Sequence, residues 1–154
     1  MEAYAPINQP VLGTLDIKMD NIDAHNIPVI TLAAELGPNN AFYISRPVIR
    51  RSPPLTPHRH EFLEVFWITT GCCTHFINRR AERLSPGHLC FIRPDDTHAF
   101  QNADGPPCRM VNVAFARTTA DFLQERYGDE IGRRFFWSDT EMPVSLALDQ
   151  TGLD

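Results

Sequence analysis

The residues best suited to chemistry lie in one short stretch, where His58, His60 and Glu64 are spaced two and four residues apart. The surrounding residues, from 57 to 71, are rich in β-branched and aromatic types, which predicts a strand. Side chains alternate between the two faces of a strand, so these three are expected on one face. Two imidazoles and a carboxylate that face the same way are an incomplete ligand set for a divalent transition metal.

A fourth ligand is predicted at His98. This residue ends the turn 94–97, directly after the apolar run 89–92, where a rigid element could present an imidazole. If the two strands are neighbours in a closed barrel, the set becomes three histidines and one glutamate. Such a set leaves positions open on one Zn, Ni, Fe or Mn ion. The alternative is a metal-free network of the same side chains, which is costly to satisfy with hydrogen bonds alone.

The composition is that of an ordinary globular domain. The 154 residues, 43% of them hydrophobic, are enough to bury a core. The formal net charge of -5 argues against DNA contact by this chain itself, since proteins that grip phosphates need a basic face. No apolar run approaches the ~20 residues that span a bilayer, and the N-terminus lacks a signal-peptide pattern, so we expect no membrane contact and a cytoplasmic location.

Short strand-like runs separated by turns follow the first histidines. They cover residues 73–78, 82–84, 88–92 and 110–115. Many short strands with no helix between them predict a mainly β protein, built as an antiparallel sandwich or barrel. We divide the chain into an N-terminal extension at 1–40 that packs on the barrel, the barrel itself at 41–117, and a helical segment at 118–154.

The hydrophobic period changes in this last segment. Apolar residues recur every four positions, which predicts an amphipathic helix over residues 118–136 that is capped by Thr118. These residues are Leu123, Tyr127, Ile131 and Phe135. They pack either on the barrel or against a second copy of the chain, and periodicity does not separate the two. Ser138, three residues before Glu141, has the spacing of a capping box and predicts a second short helix.

The first histidine motif resembles that of the cupin family, Gly-x5-His-x-His-x3-Glu-x6-Gly. The match includes His58, His60, Glu64 and Gly71, while Ser52 replaces the leading glycine. The resemblance implies a small antiparallel, jelly-roll-like barrel with the metal inside.

The second cupin motif, Gly-x5-Pro-x-Gly-x2-His-x3-Asn, is similar to the region that contains His98. The corresponding residues are Gly87, Pro94, His98 and Asn102. Pro94 is displaced by one position, and Asp95 occupies the place of the inner glycine. The resemblance supports the four ligand positions and leaves the geometry of this turn open.

A narrower resemblance covers about residues 56–116 and is to the sensor half of AraC-type transcription regulators, in particular the branch of the chitobiose-responsive repressor. In that family the barrel binds a small effector, a following helical segment makes a homodimer, and a separate C-terminal half binds DNA. The resemblance implies that this chain is the effector-binding portion, with its predicted helix at the dimer interface. The DNA-binding half has no counterpart in it.

Other side chains in the barrel could contact the effector. Phe66 shares the predicted face of Glu64, and Arg93 and Asn112 could reach the cavity as polar anchors. An aromatic wall beside polar groups suits a small polar molecule, a sugar being one candidate. The remaining histidines and all cysteines are predicted to be structural. They are His25, His75 and His88, with Cys72, Cys73, Cys90 and Cys108.

Three interpretations are compatible with this pattern, the third being a structural barrel that binds no ligand. The leading hypothesis is a metal-containing cupin that senses a small molecule. The alternative is a free-standing enzyme, a dioxygenase or an isomerase, in which the ion acts on a substrate. An enzyme should carry an additional acid or base inside the barrel, but Glu61 has the opposite strand parity from Glu64. No catalytic residue is therefore predicted.

Overall fold

A computed structural model of the chain describes residues 27–31, 40–50, 56–102 and 105–148. Its strands are β1 (Val29–Ile30), β2 (Phe42–Ser45), β3 (Val48–Ile49), β4 (Arg59–His60), β5 (Leu63–Thr70), β6 (Cys73–Ile77), β7 (Arg80–Leu84), β8 (His88–Ile92), β9 (His98–Gln101), β10 (Cys108–Phe115) and β11 (Ser145–Ala147). Its helices are α1 (Arg117–Tyr127), α2 (Asp129–Ile131) and a π-helical segment (Gly132–Phe136). The predicted mainly β fold with a C-terminal helix is confirmed. Most of the 1–40 extension, His25 and Ser52 lie outside the described residues.

Two antiparallel sheets enclose the core. The larger sheet has the strand order β11–β8–β5–β10–β2, with β3 also paired to β10, and the smaller has the order β7–β6–β9. Buried apolar residues of both sheets form one contact cluster, which includes Phe66 and Ile68 from β5 and Ile77 and Phe100 from the smaller sheet. A short parallel pairing of β1 with β4 lies outside both sheets.

Strand β5 is buried on both faces along its first half. Its even-numbered residues Glu64, Phe66 and Ile68 face the interior of the barrel. Its odd-numbered residues Leu63 and Val65 join a second apolar cluster that α1 and the π-helical segment cover. The helical segment therefore acts as an outer layer of the larger sheet.

The helical segment differs from its sequence prediction in three ways. Helix α1 begins at Arg117, with Ala116 at the N-cap and no side-chain cap, and it ends at Gly128, whose φ of 99° interrupts the helix. The second helix predicted around 138–148 was wrong, because residues 145–147 form β11 along β8. Apolar side chains in this segment thus complete a sheet edge. No helix in the described ranges is long and apolar enough to cross a membrane.

Gly71 connects β5 to β6 at a point of close backbone approach. Its φ is +73°, and a Cβ added there would lie 2.6 Å from the carbonyl oxygen of Pro107 and 2.9 Å from Cα of Cys108. Both the backbone conformation and the space therefore require glycine. Gly105 also has a positive φ, of +93°, but no atom lies within 4 Å of an added Cβ.

We expect Gly71→Ala to lower the free energy of unfolding by about 2–3 kcal/mol, because it adds a backbone clash to the strain of a positive φ. The matched variant Gly105→Ala should cost only about 1 kcal/mol, since it adds the strain alone. Urea denaturation followed by circular dichroism measures both. Equal losses in the two variants would contradict the close-approach argument.

Candidate metal and effector site

Backbone pairing between β9 and the residue before β4 brings the ligand residues together. His58 and His98 form an antiparallel bridge, with backbone N to O distances of 3.0 and 2.9 Å. The backbone amide of Asp95 also donates to the carbonyl of His60 at 3.1 Å. These bonds place the turn before His98 directly beside the two histidines of the first motif.

The side chains of the predicted ligands converge on one point. The ligand atoms of His58, His60 and His98 lie within 4.8 Å of one another, which fits a site for a metal ion. Nε2 of His60 is 2.9 Å from Nε2 of His98 and 2.9 Å from Oε2 of Glu64. The same glutamate oxygen is 3.6 Å from Nε2 of His98. The three histidines and Glu64 are hereafter called the ligand set.

The carboxylate of Glu64 is buried beside these imidazoles. Its Oε2 is close to Nε2 of His60, but the contact lacks hydrogen-bond geometry, and the oxygen has no hydrogen-bond partner in the described part of the chain. An unpartnered buried carboxylate oxygen is costly unless a cation or a donor is bound to it. The donor set of imidazole nitrogens and one carboxylate fits a divalent ion such as zinc or nickel.

Burial keeps two of these histidines in the neutral form that a metal requires. Desolvation lowers the pKa of His98 well below its usual value, and the nearby His75, His60 and His58 lower it further. Desolvation also lowers the pKa of His58, in part against its hydrogen bond to Thr56. Neutral imidazoles offer a lone pair to a metal ion, whereas protonated ones do not.

His58 has a defined outer partner. Its Nδ1 is 3.0 Å from the carbonyl oxygen of Thr56. A carbonyl oxygen only accepts hydrogen bonds, so Nδ1 must carry the proton and donate it. This tautomer leaves Nε2 of His58 as the free lone pair.

A cavity of about 230 Å³ opens onto the ligand set. It is lined by Ile30, Tyr43, Ser45, Pro47, Ile49, His58, His60, Phe62, Glu64, His98, Phe100, Met110, Asn112 and Ala114. Oδ1 of Asn112 is buried without a hydrogen-bond partner among the described residues. Polar atoms at one end and aromatic or aliphatic walls elsewhere are the usual composition of a small-molecule site.

The three predicted effector contacts do not all reach this cavity. Asn112 lines it, whereas Phe66 is fully buried in the barrel core, edge-on to the rings of His75 and Phe100. Arg93 is also absent from the lining and is engaged elsewhere. Of the three predicted effector contacts, only Asn112 lines the cavity.

His75 is a member of the site that sequence analysis did not assign. Its Nε2 is 3.2 Å from Nδ1 of His98, and its Nδ1 is 2.8 Å from Oε1 of Glu82. The register of the β6–β7 hairpin pairs His75 directly with Glu82 across a two-residue turn at Asn78 and Arg79. The positions of His75 and Glu82, symmetric about this turn, were a signal in the sequence. It was missed because the first strand-like run was predicted to extend to residue 78, one residue beyond the end of β6.

Comparison with known proteins agrees with this architecture. The sequence profile described as "AraC-like ligand binding domain" matches residues 53–149 of the chain. This match covers more than half of the sequence. The chain belongs to the AraC-like ligand-binding domain family. The predicted resemblance to cupin-type sensor domains is thereby confirmed.

Similar proteins include the HTH-type transcriptional activator RhaS of Yersinia pestis strain Pestoides F, at 36% identity over 58 residues. The matched region is 38% of this chain and 20% of the activator. The match therefore spans only about a fifth of the length of the curated relatives.

Solved structures similar to the chain include two cupins of less than 20% identity. A cupin protein of Bacteroides fragilis has 18% identity and a TM-score of 0.48, and the match covers 51% of this chain and 68% of that one. A Cupin 2 conserved barrel domain protein of Salinispora arenicola has 19% identity and a TM-score of 0.48, over 57% and 74% of the two chains. Similarity at this level carries no argument about function.

The turn before His98 in this AraC-like domain lacks the inner glycine of the cupin motif. Asp95 stands at that position and has a φ of +73°. Aspartate tolerates this left-handed conformation better than most residues because its short side chain can bond locally. Asp95 therefore takes the left-handed conformation at the position of the inner glycine of the motif.

Arg93 connects this turn to the C-terminal segment. Its guanidinium donates to both carboxylate oxygens of Asp96, at 3.0 and 2.9 Å, and to the backbone carbonyls of Ser138 and Thr140, at 2.6 and 2.7 Å. Ser138 and Glu141, which predicted a capping box, take part in ion-pair and hydrogen-bond contacts with arginines instead. Arg93 thus holds the chain that leads into β11.

The four residues predicted at a dimer interface separate into two groups. Leu123, Ile131 and Phe135 pack into the second apolar cluster of their own chain, under the larger sheet. Tyr127 is 64% exposed on α1, and the neighbouring Phe122 is 61% exposed. The cysteines match their predicted structural role: all four are free, and Cys73, Cys90 and Cys108 are buried.

We expect Arg93→Ala to destabilise the domain by about 3 kcal/mol, because Asp96 would be left buried without its cation. Arg80→Ala is the matched control. Arg80 pairs with Glu141 on the surface, where both side chains are at least half exposed, so its loss should cost less than about 1 kcal/mol. Thermal and urea unfolding measure both. A stable Arg93→Ala protein with impaired ligand binding would instead support the effector contact predicted from sequence.

Proposed function

We propose that this chain is the effector-binding domain of an AraC-type transcription regulator, and that it recognises a small polar molecule beside a divalent metal ion. The observation that carries the proposal is the buried, unpartnered Oε2 of Glu64 at the floor of the cavity. A cation or a ligand donor there would satisfy that oxygen. Regulation of transcription by the whole protein, and hence a cytoplasmic location, are part of the proposal.

The ligand set is proposed to hold the ion through Nε2 of His58, His60 and His98 and the carboxylate of Glu64. Three neutral imidazoles and one carboxylate match the donor preference of Zn, Ni, Fe or Mn. When bound, the ion would supply a Lewis acid that orients a hydroxyl or carboxylate oxygen of the effector. The chain itself would supply the remaining contacts.

The cavity favours a small effector with at least one hydrogen-bond donor. Its volume of about 230 Å³ is below the range of about 300–1,000 Å³ that is usual for drug-sized ligands. Oδ1 of Asn112 needs a donor. Aromatic rings of Tyr43, Phe62 and Phe100 line the site and can pack on an apolar face of the ligand. A sugar or a small hydroxy acid has this combination.

The enzyme alternative receives less support from the same lining. Beyond the ligand set, Tyr43 is the only titratable side chain among the described residues that line the cavity. Glu61 is exposed and does not line it. A sensing role requires only binding, which the lining can provide.

The presence of a metal site is tested by purifying the protein with zinc and measuring the amount of bound metal by mass spectrometry. We expect about one ion per chain in the wild type and a near-complete loss in the double variant His58→Ala with His60→Ala, because half of the ligand set is removed. The matched control is His88→Ala, since His88 bonds to Ser85 and lies outside the site. Equal metal content in wild type and double variant would contradict the metal assignment.

The effector is tested on the same zinc-loaded protein by calorimetry with a panel of monosaccharides and small hydroxy acids. Asn112→Leu should weaken a true ligand about three- to tenfold, because one hydrogen bond is lost. Binding that is unchanged by Asn112→Leu would contradict the proposed contact. If no member of the panel binds, the proposed effector class is wrong.

A homodimer is proposed through exposed side chains of α1. Phe122 and Tyr127 are large apolar or aromatic side chains, and both are more exposed than buried. Leu123, Ile131 and Phe135 are already used by the domain itself and are not part of this proposal.

We expect the double variant Phe122→Ser with Tyr127→Ser to sediment as a monomer while its thermal stability is nearly unchanged. Leu123→Ser is the control, because it should lower the stability of the domain by removing part of the second apolar cluster. An unchanged mass in the double variant would remove this face from the interface. A monomeric wild type would contradict the dimer itself.

A further inference from the structure

A buried histidine links the ligand set to a carboxylate at the barrel wall. His75 lies between His98, at 3.2 Å, and Glu82, at 2.8 Å, and it is completely buried. We call this arrangement the Glu82–His75–His98 bridge. Neither His75 nor Glu82 lines the cavity, and the hydrogen bond that the structure gives between them and the ligand set is the one from His75 to His98.

With Glu82 ionised and His75 neutral, the hydrogen-bonding capacity of each group fixes where the protons of the bridge lie. An ionised carboxylate only accepts hydrogen bonds, so Nδ1 of His75 must donate to Glu82. A neutral His75 then has a lone pair on Nε2, which can only accept. Nδ1 of His98 must therefore donate to it, and Nε2 of His98 becomes the lone pair that faces His60 and Glu64.

Packing holds the middle ring in place. The ring of His75 stacks on Phe100, with centroids 4.7 Å apart and an interplanar angle of 15°. Phe66 contacts the same ring edge-on, at 5.4 Å and 89°. A ring enclosed in this way cannot rotate without displacing the core, so the direction of its hydrogen bonds is maintained.

The other two histidines of the ligand set provide a comparison. Nδ1 of His58 bonds to a backbone carbonyl, and Nδ1 of His60 is buried without a partner in the described ranges. His98 is thus the only one of the three whose outer nitrogen contacts another side chain in the described structure. A carboxylate behind a metal-bound histidine raises the basicity of the ligand and fixes its orientation.

We infer that His75 and Glu82 are positioning residues that hold His98 in the tautomer required to bind the metal ion. The inference rests on the metal of the proposed function. It predicts that the affinity of the site depends on two residues that do not contact the ion. Because the tautomer exists before any metal arrives, the bridge can also be tested in the metal-free protein.

The first experiment measures zinc affinity by competition with a chromophoric chelator. His75→Leu should lower the zinc affinity about 10–100-fold, since His98 loses the hydrogen-bond acceptor that fixes its tautomer. His75→Gln should retain most of it, because the glutamine amide oxygen can accept the proton of His98 at a similar reach. Ile68→Val is the matched control: it removes one methylene group from the same core cluster at a residue outside the bridge, and should stay close to wild type.

Glu82→Leu should have a smaller effect than His75→Leu. The side chain of Glu82 is 29% exposed, so water can replace its carboxylate as the acceptor for His75. If His75→Leu binds zinc as tightly as Ile68→Val, or if His75→Gln is as weak as His75→Leu, the positioning role is overturned.

The second experiment reads the tautomers directly in the metal-free protein, by nitrogen-15 chemical shifts of the imidazole rings. The wild type should show the proton of His98 on Nδ1, and His75→Leu should shift it away from that atom. A wild-type His98 protonated on Nε2 would overturn the inference. A wild type that binds no zinc but has Nδ1 protonated would disprove the metal proposal and leave the bridge intact.

Discussion

Buried imidazoles and a carboxylate meet inside this barrel, and each of their polar atoms needs a partner that water cannot provide. His58 hydrogen-bonds to a backbone carbonyl and His98 hydrogen-bonds to His75, whereas one oxygen of Glu64 has no hydrogen-bond partner in the described structure. Most of the local architecture can be understood as the means of presenting these atoms at one point. The unpartnered oxygen is the feature that a cation or a ligand would complete.

Two backbone devices make this convergence possible. The backbone pairing of His58 with His98 joins segments that are forty residues apart, so strand pairing brings the fourth proposed ligand to the other three. The turn before His98 is held by Asp96, which receives hydrogen bonds from Asn78 and from the side chain and backbone of Arg93. Because Arg93 also binds the segment that precedes β11, the C-terminal part of the domain stabilises the site from outside.

The helical segment and the barrel share one sheet. Strand β5 directs even-numbered residues into the interior and odd-numbered residues under the helices, so one strand carries both the proposed ligand Glu64 and residues of the second cluster. An effector that shifts this strand would displace side chains both in the cavity and under the helices, since packed interiors transmit small displacements. Strand β5 therefore contacts both the cavity, through Glu64, and the apolar cluster that packs under the helices, through Leu63 and Val65.

Local spacing was enough to predict the shared face of His58, His60 and Glu64, the strand runs from 73 to 115, and the candidate His98. Strand alternation and turn residues are local properties, so they could be predicted. The predictions failed where tertiary partners compete with local patterns. Ser138 and Glu141 have the spacing of a capping box but contact arginines, and the apolar residues after them complete a sheet edge. The placement of His75 and Glu82 behind His98 could not be predicted from local patterns, because it depends on how two hairpin strands pair with each other and with β9.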